Sequence, residues 1–356
     1  MNIKIVAIFL PSIMVMPTWA AELIVANNGV DSSACGSSID PCRTINRAIN
    51  NASDNDTVIV GPGLYTETLE LAGKSDYRMI VIQKPLTVIS RDGAGATILR
   101  GERSDERVVW IESNDVTFGG PNQGFTLTNS NTERGGYGLF IYQGAWTGIT
   151  VQDNVATGNG IGFHSSSSGS VTFLKNVAHG NNNGFWCGEE SSGNQYITNF
   201  ATRNYDNTGY GIGFGVAGNQ NSFRANLASD NLYGFDIHGT NHEFINNAVV
   251  GNSTGFEVRG SGHVIRSDII VGNKEVGINV PDADNATLVI TKNNIYGNDV
   301  YCGIKNDDAT NPVLAPNNYW GAATGPGDDP ADKVCGLVTV KNFAVTEFDI
   351  PVRAGR

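Results

Sequence analysis

The chain has 356 residues, 44 of them glycine, and a formal net charge of −12. That charge argues against nucleic acid or an anionic membrane surface as a partner, and against a polyanionic substrate unless a metal or a local basic patch intervenes. The length suits one large domain, and little of it reads as helix.

Read from the start, residues 1–20 have the form of a signal peptide. Lys4 supplies the positive charge, residues 5–16 form an apolar core too short to span a bilayer, and Thr18, Trp19 and Ala20 precede a small-residue cleavage point at Ala21. No later stretch is long enough to span, so the mature protein is expected to be secreted or periplasmic. Residues 21–56 read as an N-terminal cap. Within it, Ile45, Ala48, Ile49 and Ala52 have the spacing of an amphipathic helix. There are five cysteines. An oxidising compartment favours Cys35–Cys42 and Cys302–Cys335 as bridges, one near each end. Cys187 is left over, either as a reactive thiol or, the reading preferred here, as a small buried hydrophobe. The stretch 57–129 is irregular, though Val109, Trp110, Ile111 and Glu112 fit the strand pattern described next.

From Gly138 onward the chain repeats. A Gly followed by a large apolar residue recurs at Gly138-Leu139, Gly162-Phe163, Gly184-Phe185, Gly213-Phe214, Gly234-Phe235, Gly255-Phe256, Gly277-Ile278 and Gly303-Ile304. The intervals run from 21 residues (213 to 234) to 29 (184 to 213). An Asn-x4-Asn frame keeps the same beat, from Asn154/Asn159 to Asn293/Asn298, with Asp268/Asn273 filling its one gap. Apolar columns stand at fixed offsets: Ile141 to Val280 after the Gly pair, then Val151 to Ile290, then Ala156 to Ile295. Three short strands per turn of about 22 residues, each with one buried face, define a solenoid.

The Gly-Phe strand starts and the Asn column between second and third strands resemble the right-handed parallel β-helix family, the pectin-lyase-like architecture. The resemblance implies an all-β, single-stranded solenoid of about ten coils over residues 57–316, closed at one end by the capping helix. It also implies that the Asn column stacks as a ladder inside a sharp turn, satisfying backbone groups there. Residues 317–356 read as a C-terminal cap and tail. Within them, 317–321 (Asn-Asn-Tyr-Trp-Gly) and 324–327 (Thr-Gly-Pro-Gly) resemble the terminal segment of many bacterial β-helix proteins.

In this family, active sites commonly lie on the outer face of the first strands. By register, the outward positions here include Trp110, Glu112, Phe140, Tyr142, His164, Ser166, Trp186, Asp236, His238, Glu257, Arg259 and Asn279. The column is aromatic over its first half and ionisable over its second. Trp110, Tyr142, His164 and Trp186 are therefore the expected glycan-binding residues, since flat rings stack on sugar faces. Asp236, His238, Glu257 and Arg259 are the expected acid/base cluster. Tyr205 and Tyr210 sit on a longer connection that would wall a groove. His242 and His263 read as a turn stack, and His179 stands apart. Asp282, Asp284, Asp307 and Asp308 fall in neighbouring loops and offer oxygens for Ca2+, against the commoner reading of solvated loops. No polygalacturonase, alginate-epimerase or pectate-lyase motif is present, so no catalytic role transfers from a family. Two functions stay open: a polysaccharide lyase or glycosidase of unassigned specificity, and a non-catalytic glycan-binding or surface-structural protein. Convergence of the four ionisable groups favours the first, and scatter the second. The expected partner is a polysaccharide and the expected state a monomer.

Overall fold

The computed structural model describes residues 20–70, 77–103, 105–129, 136–281, 287–298 and 302–351. The expected signal segment lies outside these apart from Ala20, as do Asp282 and Asp284. Among the described residues, no helix is long and apolar enough to cross a membrane.

The chain forms a parallel β-helix. Three sheets of 13, 10 and 12 strands run its length. One coil shows how. Asn183–Cys187 lies in the 12-stranded sheet, Gln195–Ile197 in the 13-stranded sheet and Phe200–Thr202 in the 10-stranded sheet. The chain then returns to the first sheet at Ile212–Val216, one coil on. Each strand pairs in parallel with its counterpart in the next coil, as Phe185 with Phe214 and Ala201 with Ala228. The sheets run past both expected limits of the solenoid. Glu22–Val25 pairs with Thr57–Val60 at one end, and Val334–Gly336 continues the 12-stranded sheet at the other.

The repeat's residues account for this winding. The apolar residue after each Gly points inward, so Phe163, Phe185, Phe214, Phe235 and Phe256 stack with centroids 4.7 to 5.0 Å apart. Phe173, Tyr196, Phe223 and Phe244 form a facing stack at 4.6 to 5.1 Å. The Gly itself is required by close approach. A Cβ at Gly184 would fall 2.6 Å from the Gly213 carbonyl oxygen and 3.0 Å from the Asn204 amide.

The two Asn columns are continuous ladders through the turns that flank the third strand. Asn176 takes hydrogen bonds from the Asn154 backbone N–H and Nδ2 at 3.1 Å each, and the step repeats at Asn199, Asn226 and Asn247. The second ladder runs from Asn159 to Asn298 and ends on the Asp332 carboxylate. Residues just before the first ladder take positive φ, as Lys175 does at 55°. That tight left-handed corner leaves backbone groups which the buried amides satisfy.

The capping helix forms where the sequence places it. A helix, Ile45–Asn51, is capped by the Thr44 hydroxyl and buries Ile45, Ala48 and Ile49 over the first coil. At the far end Trp320 is fully buried against the core. Cys35–Cys42 and Cys302–Cys335 are disulfides with Cα atoms 4.9 and 6.0 Å apart. Cys187 is a free, buried thiol, pushed up to about 12 by burial.

Candidate functional site

The 12-stranded sheet presents one outward residue per coil in a single row. By register it runs Trp110, Phe140, His164, Trp186, Gly215, Asp236, Glu257, Asn279 and Lys305. Neighbours are about 4.8 Å apart along the row, the spacing of paired strands. Two residues further along each chain a second row carries Glu112, Tyr142, Ser166, Gly188, Ala217, His238 and Arg259. The strand period therefore places aromatics and ionisable groups on the same face.

The four expected ionisable residues converge. Arg259 donates to Asp236 Oδ1 at 3.2 Å and to Glu257 Oε1 at 2.6 Å, so one guanidinium bridges carboxylates on adjacent strands. His238 Nε2 lies 3.2 Å from the same Asp236 oxygen. Asn279 Nδ2, one coil on, donates to Glu257 Oε2 at 2.8 Å. Asp236 and Glu257 keep only 9% and 5% of their surface, so they are not solvated surface charges. Burial pushes the Glu257 carboxyl above the ordinary range, while the Asn279 hydrogen bond and Arg259 pull it down. His238 remains exposed, with 47% of its side chain accessible.

The walls are polar and aromatic. Tyr210, on the connection after Asn204, meets Tyr233 edge-on at 6.1 Å. Both phenols are raised, first by burial and then by neighbouring carboxylates, Asp236 foremost for Tyr210 and Glu257 for Tyr233. Beside Glu257 opens a cavity of about 290 Å³, lined by Tyr233, Thr254, Glu275, Asn279 and Lys305 among others. The Asn279 Oδ1 atom is buried there without a partner.

The floor under these side chains is held by a third ladder, in the turn after the site strands. Asn194, Asn221, His242 and His263 stack in register, the two imidazoles 5.1 Å apart and parallel within 4°. Nδ1 of His242 accepts from the Asn221 backbone N–H, and Nδ1 of His263 from that of His242. The proton is therefore on Nε2, which donates to the carbonyls of His238 and Arg259 at 2.9 and 3.0 Å. Both rings are neutral, since burial pushes them down to about 3 and about 4. The turn stack read from sequence thus anchors the backbone of two site residues.

The aromatic half differs from expectation in one respect. Trp110 is 3% exposed, not a free platform. The Arg78 guanidinium covers its ring at 3.5 Å, and Phe140 and Tyr142 pack on it at 4.9 Å each. Tyr142 is the exposed member of that group, at 41%. His164 packs edge-on to Phe140 at 4.8 Å and is lowered to about 4 by burial and by Arg107. Trp186 is half-buried and its six-membered ring lies against Gly215, where a Cβ would come within 2.4 Å of it. Gly215 thus opens the bed for the indole beside Asp236. Sequence reasoning did not single out Gly215, Asn279 or Arg78. The first two stood in the outward row, and a glycine facing outward between Trp186 and Asp236 was the available signal. Arg78 precedes the regular repeat and gave none.

The described loop residues do not build a Ca2+ site. Asp307 is paired with Lys305 at 2.8 Å, and Asp308 is occupied by Thr310 and Asn311, which hold it down at about 2. Among the described residues, the one close group of metal-ligating types is Asp31, Cys35 and Cys42, whose cysteines are disulfide-bonded. His179 is exposed on a third strand beside Thr202 and joins no cluster.

Comparison with known proteins agrees with the architecture. No protein-family model and no curated protein sequence matches the chain. Among solved structures, the chain is similar to the A-module of the Azotobacter vinelandii mannuronan C-5 epimerase AlgE4, with a TM-score of 0.54 and 16% identity over 82% of this chain and 91% of that one. It is similar to the catalytic domain of a GH87 α-1,3-glucanase solved with tetrasaccharides, with a TM-score of 0.51 and 13% identity over 93% and 69%. It is also similar to the Dettilon tailspike protein, with a TM-score of 0.50 and 13% identity, covering 81% of this chain and 55% of the tailspike. At these identities the likeness is one of fold, the parallel β-helix.

Proposed function

We propose that the protein is a polysaccharide-processing enzyme that binds glycan along the outer face of the 12-stranded sheet and acts on it at Asp236 and Glu257. The observation that carries this reading is the convergence of Asp236, His238, Glu257 and Arg259 on one another across two strands. A non-catalytic binder has no need of two buried carboxylates shared by one arginine, because burying charge is costly unless something offsets it. The fold neighbours include a glucanase solved with tetrasaccharides and a mannuronan epimerase, which is in keeping with glycan chemistry on this scaffold.

Hydrolysis is the favoured reaction. Glu257, raised by burial, serves as the acid that protonates the departing glycosidic oxygen. Asp236, in contact with Arg259 and His238, would be the nucleophile toward the anomeric carbon. Its position one strand from Glu257, about 4.8 Å away by strand spacing, suits the close carboxylate pair of a retaining displacement better than the wider pair of an inverting one. Trp186 offers an apolar surface next to the pair, with the exposed Tyr142 further along the face and Trp110 and His164 packed behind it. Elimination, with His238 as base, is a second reading. It rests on the exposure of His238 and its contact with Asp236. Against it, Arg259 already serves two carboxylates and is poorly placed to neutralise a uronate. The two disulfides suit an oxidising location, secreted or periplasmic.

A polysaccharide panel, scored for new reducing ends and for the ultraviolet absorbance of unsaturated ends, separates hydrolysis from elimination. Asp236→Asn should abolish turnover and leave binding nearly intact. Binding without turnover by the unmodified protein would return the non-catalytic alternative.

A further inference from the structure

The cavity beside Glu257 has a chemistry of its own. The geometry points to a subsite there for one uncharged sugar residue, and hence to a neutral glycan as substrate; this rests on the glycan-processing reading above.

The charge around the reaction centre is the first argument. Four carboxylates stand near it among the described residues, Asp236, Glu257, Glu275 and Asp307, against two cations, Arg259 and Lys305. Both cations are already engaged. Arg259 is shared by Asp236 and Glu257, and Lys305 lies 2.8 Å from Asp307. A uronate entering here would meet surplus negative charge and no unspent guanidinium or ammonium, and the chain as a whole, at −12, adds to the repulsion.

The polar groups in the cavity are the second argument. Asn279 gives its Nδ2 to Glu257, and its Oδ1 is sealed in the wall. The groups left to meet a ligand are chiefly acceptors, which a sugar hydroxyl can satisfy by donating and a carboxylate cannot. Glu275 and the Tyr233 hydroxyl extend the acceptor set along the wall. The volume, about 290 Å³, falls at the lower edge of ligand pockets and suits a single ring.

The third argument is placement. Trp186 on its glycine bed, the Asp236–Glu257 pair and the Asn279 cavity occupy successive steps of one row. A glycan lying along the solenoid would stack one residue on Trp186 and reach the cavity, two to three strand spacings further on, with a later one. The stretch between them would lie over the carboxylates.

The test is binding to the full chain with its charges unaltered, measured in the cold and over times short against turnover. Dextran, laminarin and mannan are the uncharged probes; polygalacturonate and alginate are the charged ones, each with and without Ca2+. At least one uncharged glycan should bind with an affinity little changed by salt, and the uronans should not bind. Tyr233→Ala should weaken the uncharged ligand several-fold. Glu275→Lys, at an exposed position, should raise uronan binding several-fold at low salt. A uronan that binds more tightly than every uncharged glycan, with or without Ca2+, overturns the inference and leaves the glycan reading standing. An uncharged ligand indifferent to Tyr233→Ala overturns the placement of the subsite. Failure of both classes to bind removes the glycan reading itself, and the subsite with it.

Discussion

Asp268 occupies an asparagine's place in the first ladder, and replacing it should stabilise the protein in a pH-dependent way. Its Oδ1 accepts from the Asn247 backbone N–H at 2.5 Å and from Asn247 Nδ2 at 3.0 Å, as an asparagine's would. Elsewhere in the ladder the amide also donates onward, as Asn247 Nδ2 donates to the Phe223 carbonyl. Asp268 offers Oδ2 instead, fully buried and without a partner. Ionised, it would set an anion among acceptors. Burial therefore pushes its carboxyl up to about 8. Because the folded value exceeds the unfolded one of 3.8, the side chain's contribution is fully present below about pH 4 and is lost as pH rises toward 8. At about 1.4 kcal/mol for each pH unit between the two values, the loss at pH 7 amounts to about 4 kcal/mol. Asp268→Asn titrates nowhere in this range and restores the donor. Denaturant unfolding of both proteins from about pH 5 to about pH 9 should show the variant gaining on the parent as pH rises. Parallel curves, or a variant less stable at high pH, would refute the reasoning.

The remaining expectations are smaller in scope. His242→Asn and His263→Asn should preserve the ladder, since Asn221 already fills that role one coil earlier. They should also flatten the loss of stability on acidification, because rings held at about 3 and about 4 must take up protons on unfolding once pH falls below 6.5; acid unfolding curves check both. Phe235→Ala opens a hole between Phe214 and Phe256, 4.7 and 4.9 Å away, and should cost about 3–5 kcal/mol by chemical denaturation. Trp186→Ala should weaken glycan binding several-fold, for a loss of about 1 kcal/mol. Gly215→Val should do the same with Trp186 intact, because its side chain would occupy the bed of the indole; equilibrium binding measures both.

The fold was legible because solenoids write each contact many times. A Phe after Gly in one turn of the chain is weak evidence, but the same pair in register with an Asn frame leaves one economical winding, and the strand pairs Phe185 with Phe214 and Phe214 with Phe235 follow directly. The irregular stretch before Gly138 had no such redundancy. The cover that Arg78 gives Trp110 was hidden for that reason, and with it the burial of a tryptophan expected to face solvent. Register could place Asp236 opposite Glu257, since period two and coil spacing decide it. It could not say that Arg259 reaches both. That outcome depends on a long side chain two residues along one strand folding back across the pair, and on His263 fixing the carbonyl from which it starts. The same step separates scaffold from chemistry. The ladders and stacks fix the inward and turn positions of each coil and leave the outward ones outside the repeat's pattern. The proposed reaction centre must import its own order, and the candidate residues are held by buried rings and amides: His242 and His263 beneath the turn, and Asn279 beside Glu257. Part of the site's order therefore comes from neighbours that bear no charge, a pattern that a search for charged motifs passes over.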